Sequence, residues 1–176
     1  MDTKPRNRYL PLLLTCCILL ADQLSKAWIV SHIPENTIGY SFGGNFLYIV
    51  HVRNTAIAFS MGLGLPLVVK FLGFILLPLL LLVCVAYIFF RKQEYLTSLQ
   101  SWTLALFLGG GMGNLADRIF RSFRVVDFIS VNTYGFLGFD RWPTWNIADA
   151  SLVISGILLA LTLLFPAKGK KETTDV

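Results

Sequence analysis

Residues 66–90 read PLVVKFLGFILLPLLLLVCVAYIFF, an apolar run longer than the roughly 20 residues that a helix needs to cross a hydrocarbon core. Residues 9–30 form a second such run, which is apolar except in its last two turns. Shorter runs follow at 96–113, which is rich in glycine, and at 146–165, which Pro166 ends. Only helices suit these segments, because unpaired backbone groups cannot face lipid. The sequence therefore predicts an all-α integral membrane protein with four transmembrane helices.

Composition supports the same class of protein. Of the 176 residues, 55% are hydrophobic and only 14% are charged, which is far more apolar than a soluble domain of this length needs to be. The apolar runs leave no stretch long enough for a second domain, so residues 1–176 are expected to form one membrane domain. The net charge of +5 comes from small basic clusters beside the apolar runs, which indicates membrane topology rather than nucleic-acid binding.

Basic residues beside the spans predict which side of the membrane each end occupies. Eight of them flank the proposed inner ends: Lys4, Arg6, Arg8, Arg91, Lys92, Lys168, Lys170 and Lys171. Because Lys and Arg favour the cytoplasmic side, both termini are expected there. The opposite loops are less clean, since four arginines lie between spans three and four beside three aspartates. The long connections 31–65 and 114–145 then lie on the outer face, where long loops usually carry function.

The N-terminal run resembles an export signal, with basic residues before a leucine-rich segment. It continues past Cys16 and Cys17 to Val30 without a small-x-small cleavage site, so we expect it to be retained as a membrane anchor. The three cysteines all fall inside spans, where buried and unpaired thiols are expected.

The first outer loop contains a strand signal. Polar and apolar residues alternate over 45–53, NFLYIVHVR, which is typical of a half-buried strand. A small extracytoplasmic β-sheet lying on the membrane surface would fit this pattern.

Polar residues collect at the predicted outer ends of the spans. Asp22 and Lys26 share one face of span one, where a local ion pair is the simplest interpretation. Asn146 and Asp149 open span four with the spacing of a helix N-cap and its first turn. Four more follow the glycine run or lie in the apolar patch at 125–129: Asn114, Asp117, Arg118 and Asp127. Ionisable groups at membrane depth are usually functional, and this number at one interface exceeds what capping requires.

Clustered carboxylates have well-defined chemical uses. Two that share a site hold one proton between them, because like charges raise one pKa, and such a pair can activate water against an amide. The alternatives are a hard metal ion or a proton path through a transporter. The aspartates disfavour a metal site because they lie on separate elements without His or Glu. Their confinement to one face disfavours a transporter, whose site usually lies near the midplane.

Five motifs together resemble one family. They are DQLSK at 22–26, NTAIAFS at 54–60, GGGMGNLADR at 109–118, VVDF at 125–128 and NIAD at 146–149. In order, spacing and position they are similar to the motifs of the bacterial lipoprotein signal peptidase, signal peptidase II, over almost the whole chain. The resemblance implies an aspartic endopeptidase of the bacterial inner (cytoplasmic) membrane. Such an enzyme removes the signal peptide from prolipoproteins by cleaving before the diacylglyceryl-modified cysteine, and it needs no metal or other cofactor.

The resemblance also assigns expected roles to single residues. The catalytic pair would be Asp127 and Asp149. Residues that shape the site or hold substrate would be Asn54, Asn114, Arg118 and Asn146. Structural support would come from Asp22, Lys26 and Asp117. The chain departs from the family pattern at Ala56 and Ile57, where Gly and Ala are frequent, and at Trp145, where Phe is frequent.

The expected partners are a diacylglyceryl-modified prolipoprotein and membrane lipids, with no nucleic acid, and the protein is expected to act as a monomer near the outer face of the membrane. Two alternative functions suit the same helices: a small polytopic carrier or channel, and a noncatalytic membrane assembly factor.

Overall fold

The computed structural model describes residues 8–55 and 65–165 of the chain. In order, its main elements are α1 (Leu12–His32), β1 (Ile38–Phe42), β2 (Leu47–Asn54), α2 (Leu67–Phe71), a π-helical turn (Leu72–Leu76), α3 (Leu77–Arg91), α4 (Ser98–Phe120), β3 (Val125–Val131) and α5 (Ile147–Leu164). Short 3-10 turns lie at Gln93–Tyr95 and Phe136–Gly138. Five of the basic residues that predict the topology lie outside the described residues: Lys4, Arg6, Lys168, Lys170 and Lys171.

Among the residues that the structure describes, three helical segments are long and apolar enough to cross a membrane: Leu12–His32, Leu67–Arg91 and Ile147–Leu164. They correspond to the predicted spans 9–30, 66–90 and 146–165. α4 corresponds to the predicted span 96–113, but its glycines and polar residues lower its mean hydropathy below that of the other three. Three of the predicted spans therefore have suitable helices, and the fourth crossing stays a prediction.

The helix that contains the predicted third span, 96–113, extends beyond Gly113. α4 continues for about two more turns to Phe120. The polar residues after the glycine run do not end the helix, because neighbouring elements satisfy them in place of water. Asp117, for example, accepts a hydrogen bond from the backbone N–H of Val126 on β3 at 3.0 Å.

The glycine run allows α4 to approach its neighbours closely. A Cβ at Gly110 would lie 2.6 Å from the carbonyl oxygen of Ala148 on α5, and a Cβ at Gly113 would lie 2.6 Å from Oδ2 of Asp22 on α1. Both distances are far shorter than van der Waals contact, so only glycine fits. Small residues are what let helices pack tightly in lipid. α4 therefore packs against both α1 and α5 and brings its polar second half beside them.

Apolar packing forms two separate clusters. One joins α3 to α4 and contains Leu82, Val85, Phe89, Leu104, Ala105, Leu108 and Leu115. The other joins α1 to β3 and contains Ile29, Ile33, Val126 and Phe128. The cysteines are free, as expected, but their side chains are exposed on the helix surfaces, so the prediction that they are buried was wrong. Apolar thiols need no burial on a helix surface that faces lipid.

The sheet is antiparallel, with strand order β1-β2-β3. The strand predicted at 45–53 is confirmed as β2, whereas β3 lies where the sequence showed only an apolar patch. Asn54 at the end of β2 pairs with Val125, and Val52 pairs with Asp127. The sheet thus carries Asn54 to the strand that holds Asp127, while its location on the membrane surface stays a prediction.

Pro78 alters the long apolar helix in which it lies. A proline has no backbone N–H and cannot bond the carbonyl four residues earlier, which here belongs to Phe74. The helix widens into its π-helical turn just before this proline. The Phe74 carbonyl accepts a hydrogen bond from Nη1 of Arg118 on α4 at 3.5 Å. A carbonyl that Pro78 cannot bond in its own helix is therefore bonded by the Arg118 side chain of α4.

Candidate active site

Asp127 occupies the third position of β3 and is 2% exposed. Its two carboxylate oxygens accept hydrogen bonds from two amide side chains: Asn146 Nδ2 donates to Oδ1 at 2.7 Å and Asn54 Nδ2 donates to Oδ2 at 3.0 Å. Burial, and to a lesser extent repulsion from Asp149, raises the pKa of Asp127 to about 7. The two amide hydrogen bonds lower this pKa but do not cancel the increase. Asp127 can therefore exchange a proton near neutral pH.

Asp149 lies in the first turn of α5. Asn146 is the N-cap of this helix, and its Oδ1 accepts from the Asp149 N–H at 2.9 Å. In return, Asp149 Oδ2 accepts from the Asn146 N–H at 3.2 Å, which completes a capping box. The other oxygen, Oδ1, accepts from Asn114 Nδ2 on α4 at 2.7 Å. The predicted cap is thus confirmed, and it also fixes the orientation of the Asp149 carboxylate.

Asn146 does more than cap a helix. It is fully buried, and its Nδ2 donates to Asp127 while the other atoms of the residue hold Asp149. The same Nδ2 lies 3.3 Å from Asn114 Oδ1 and 3.3 Å from the Val126 carbonyl oxygen. A single asparagine therefore connects the two carboxylates that lie on different elements.

Both carboxylates line one cavity of about 490 Å³. Its polar end contains Asn54, Asn114, Arg118, Asp127 and Asp149. Its apolar wall includes Val125, Trp142, Val153 and Ile154. Pockets with apolar walls and a few convergent polar groups are typical of ligand and active sites.

Arg118 enters this cavity from α4. Besides its bond to the Phe74 carbonyl, its guanidinium carbon lies 5.2 Å from the centroid of the Phe74 ring, within the range of a cation–π contact. Its Nε is buried and has no hydrogen-bond partner among the described residues. Arg118 thus has donor capacity left for a molecule in the cavity.

A second acidic group lies directly behind the cavity. Lys26 is fully buried and contacts Asp22 at 2.8 Å, Asp117 at 3.0 Å and Asn114 Oδ1 at 3.1 Å. The predicted Asp22–Lys26 ion pair is confirmed, but it belongs to a larger group that joins α1 to α4. Since Asn114 in turn donates to Asp149, this group is connected to the cavity.

This arrangement fits what the comparisons with known proteins show. Residues 14–165 match the family described as signal peptidase (SPase) II. The chain belongs to the signal peptidase II family.

Relatives named as lipoprotein signal peptidases, and two solved bacterial membrane enzymes, are similar to this chain over nearly its whole length. A lipoprotein signal peptidase of Treponema denticola is 38% identical over 170 residues, which is 97% of each chain. One of Borrelia garinii subsp. bavariensis is 38% identical over 174 residues, 99% of this chain and 100% of the relative. A solved bacterial membrane enzyme structure at 2.3 Å resolution has a TM-score of 0.76, with 28% identity over 94% of both chains. A second, at 1.9 Å resolution, has a TM-score of 0.75 with 26% identity and covers 95% of this chain and 100% of that one.

Membership of the signal peptidase II family makes this chain a membrane protein and a peptidase. All nine residues that the sequence singled out lie at the cavity or next to it. The cavity is lined by Asn54, Asn114, Arg118, Asp127 and Asp149. Fully buried Asn146 bonds to both carboxylates, and Asp22, Lys26 and Asp117 form the acidic group behind the cavity. Their roles in the reaction stay predictions. The departure at Ala56 and Ile57 lies outside the described residues. The departure at Trp145 replaces one aromatic residue with another in the lining of the cavity, and the Trp145 backbone N–H donates to the Ile129 carbonyl at 3.0 Å.

Sequence reasoning in terms of the signal peptidase II motifs missed several residues. Gln23 lies inside a motif but received no role, although its amide contacts two carboxylates. Phe74 acts through its carbonyl, and no sequence pattern marks a carbonyl except the proline four residues later. Trp142, Val153 and Ile154 form the apolar wall but look like ordinary loop or membrane-helix residues in sequence.

Proposed function

We propose that this protein is an aspartic endopeptidase that removes the signal peptide from prolipoproteins, cleaving before a diacylglyceryl-modified cysteine. The observation that carries this proposal is the joint placement of Asp127 and Asp149 in one cavity, with Asn146 bonded to both. The names of the relatives support the substrate class, since they are lipoprotein signal peptidases.

The proposed reaction needs only water and the two carboxylates. One carboxylate takes a proton from a water molecule while the water oxygen attacks the scissile carbonyl carbon. The other aspartate, which is protonated, gives its proton to the carbonyl oxygen. The tetrahedral intermediate then collapses, the C–N bond breaks, and the leaving nitrogen receives a proton from the pair. A pKa of about 7 for Asp127 suits this exchange, because a group that titrates near the working pH can both accept and donate.

The amide side chains would hold the carboxylates without neutralising them. Asn54, Asn114 and Asn146 donate to carboxylate oxygens through neutral N–H groups, so the charge and the proton stay available. Arg118 has unused donor capacity at the cavity, which suits the carbonyl oxygens of an extended peptide. The apolar wall formed by Trp142, Val153 and Ile154 suits the acyl chains of a lipidated cysteine.

The proposed membrane topology uses α4 as the fourth crossing in one membrane domain, with both termini in the cytoplasm of a bacterium. The sheet and the cavity would then lie at the outer face of the inner membrane, and the protein would act as a monomer in contact with lipid. Support comes from the basic residues Arg8, Arg91 and Lys92, which lie at the ends of the helices away from the cavity. Reporter fusions after residues 94 and 172 should indicate the cytoplasm, and fusions near residues 45 and 135 the opposite side. An external signal at residue 172 would contradict the four-span topology.

The experiment that tests the activity uses the purified full-length protein in detergent. It is incubated with a diacylglyceryl-modified prolipoprotein, and mass spectrometry locates the new N-terminus. Cleavage immediately before the modified cysteine is expected, while the same precursor with an unmodified cysteine should be cleaved far more slowly. A carrier, channel or assembly factor would leave both precursors intact.

A further inference from the structure

The backbone just before each carboxylate of the proposed pair is held in the same way. Val126 precedes Asp127, and its N–H donates to Asp117 Oδ2 at 3.0 Å. Ala148 precedes Asp149, and its N–H donates to Asp22 Oδ1 at 3.0 Å. Two buried aspartates on α4 and α1 therefore fix the attachment points of the two carboxylates on β3 and α5.

These two aspartates are in turn connected by two side chains of α1. Lys26 Nζ lies 2.8 Å from Asp22 Oδ2 and 3.0 Å from Asp117 Oδ2. Gln23 Nε2 lies 3.1 Å from Asp22 Oδ2 and 3.1 Å from Asp117 Oδ1, and it also donates to the Gly113 carbonyl at 3.1 Å. A continuous series of hydrogen bonds and ion pairs thus runs from α5 through α1 and α4 to β3.

Charge explains why Lys26 alone does not suffice. Asp22 and Asp117 are both fully buried and repel each other, and Lys26 offers one positive charge to the pair. Among the residues that the structure describes, Arg121 pairs with Asp117 and not with Asp22. Gln23 adds a neutral donor that draws both carboxylates toward one point without changing the net charge. Removal of the Gln23 amide would leave the ion pairs in place but would allow the distance between α1 and α4 to vary near Gly113 and Asp117.

We propose that Gln23 is a positioning residue that, together with Lys26, fixes the separation of Asp127 and Asp149. The proposal rests on the proposed function, because it concerns the geometry of that pair. Gln23 does not line the cavity, so it acts through Asp22 and Asp117 rather than on the substrate.

Gln23→Met tests this, because methionine has a similar volume and a similarly flexible chain but no N–H donor. Gln100→Met is the matched control: it also removes a glutamine amide from a helix, but one that caps α4 far from the cavity along the chain. Both variants are purified in detergent, and kcat, KM, melting temperature and the pH–rate profile are measured on the lipidated precursor. If Gln23→Met does not give folded protein, Gln23→Asn is used instead, since its shorter amide cannot reach both carboxylates.

For Gln23→Met we expect kcat to fall roughly tenfold to hundredfold, the range that small misplacement of reacting groups produces. KM should stay within about twofold, because binding contacts are unchanged. The two limbs of the bell-shaped pH–rate profile should move closer together, since greater separation weakens the repulsion that splits them. Gln100→Met should lower the melting temperature without moving either limb.

Equal kcat values and superimposable pH profiles for the two variants would overturn the positioning role and leave Gln23 as ordinary helix packing. That outcome differs from a failure of the proposed function, which would appear as an uncleaved precursor with the native protein or as full activity of Asp149→Asn.

Discussion

The protein contains two neighbouring pairs of aspartates, three of them buried and Asp149 partly exposed, and the two pairs have opposite surroundings. Asp22 and Asp117 contact the cation Lys26, and Asp117 also pairs with Arg121. Asp127 and Asp149 receive their side-chain hydrogen bonds from asparagine amides and open onto a cavity. In the part of the chain that the structure describes, no ion pair within 4.0 Å involves Asp127 or Asp149.

This difference shows how the environment divides one residue type into two roles. A cation in a buried site holds a carboxylate in its charged form, and breaking such a pair is strongly destabilising. An amide fixes the direction of a carboxylate without pairing its charge with a cation, and burial raises the pKa of Asp127 to about 7 although its two amide hydrogen bonds lower it. We call Asp22 and Asp117 the neutralised pair, and Asp127 and Asp149 the open pair.

The largest expected effect comes from removing the acid–base exchange of the open pair. Asp127→Asn and Asp149→Asn keep the volume and much of the hydrogen-bonding shape, and asparagine is compatible with the capped first turn of α5. Turnover of the lipidated precursor should fall by several orders of magnitude in each variant, as expected when a general acid or base is lost. The double variant should be hardly worse, because groups that act as one unit are strongly non-additive.

The matched control is Asp140→Asn, which changes an exposed aspartate outside the cavity and should leave turnover unchanged. Near-native cleavage by Asp149→Asn would mean that Asp149 is only a first-turn helix residue, and the open pair would then have no catalytic role.

The second prediction concerns the neutralised pair, where the effect should fall mainly on folding and less on turnover. Asp22→Asn keeps an oxygen for the Ala148 N–H but removes a charge from fully buried Lys26. Losing one partner of a buried ion pair costs roughly 3 kcal/mol or more. Folded yield and melting temperature should therefore drop, while kcat per folded molecule should fall by no more than the roughly tenfold to hundredfold expected for Gln23→Met, far less than in the open-pair variants.

The comparison for this variant is Asp149→Asn, which should fold in normal yield without activity. A normal yield of Asp22→Asn with abolished turnover would exchange the assigned roles of the two pairs.

The sequence alone separates these two pairs only in part. The lengths of the apolar runs and the motif around each aspartate place all four residues at one end of the helices, as found. Their different donors depend on tertiary contacts between residues up to 126 positions apart, such as Ala148 to Asp22. No local pattern encodes which of several asparagines and cations will meet which carboxylate.

The missed features have the same physical origin. α4 passes Gly113 because Asp117 finds partners on β3 and α1, which local helix-ending signals do not report. The sequence of β3 indicates only an apolar patch, since a short run buried on both faces lacks the alternation that marks a strand. Gln23 looks like an ordinary polar residue of a motif until its distances to both aspartates are known.

A third prediction follows from the raised pKa of Asp127 and concerns stability against pH. The pKa is about 7 in the folded protein, above its ordinary value of 3.8, so between these values the folded state binds more protons than the unfolded state. The contribution of Asp127 to the free energy of unfolding is thus greatest below about pH 4 and is lost as the pH rises through about 7. Native protein should lose melting temperature over this interval relative to Asp127→Asn.

The measurement is thermal unfolding of both proteins in the same detergent from pH 4 to pH 8, expressed as the difference between them. Asp22→Asn, compared in the same way, should not remove this slope. An equal slope in native protein and Asp127→Asn would place the proton of the open pair on a different group.

The smallest expected effect concerns Arg118, a cation that lines the same cavity as the open pair but is hydrogen-bonded to the Phe74 carbonyl. Pro78→Ala restores a backbone N–H that can donate to the Phe74 carbonyl within the same helix. The Phe74 carbonyl is then a poorer acceptor for the Arg118 guanidinium. The released guanidinium would move toward the two carboxylates and make the open pair resemble the neutralised one.

Turnover of Pro78→Ala should therefore fall by roughly twofold to tenfold, while the melting temperature does not fall, because an alanine suits a helix interior better than a proline. Leu79→Ala, one position along on the same helix and 42% exposed, is the control and should leave turnover unchanged. In an Arg118→Lys background, Pro78→Ala should have no further effect, since residues that act through one contact are not additive. An equal loss of turnover in both backgrounds would show that Pro78 acts independently of Arg118, and the open pair would then owe its freedom from cations to some other contact.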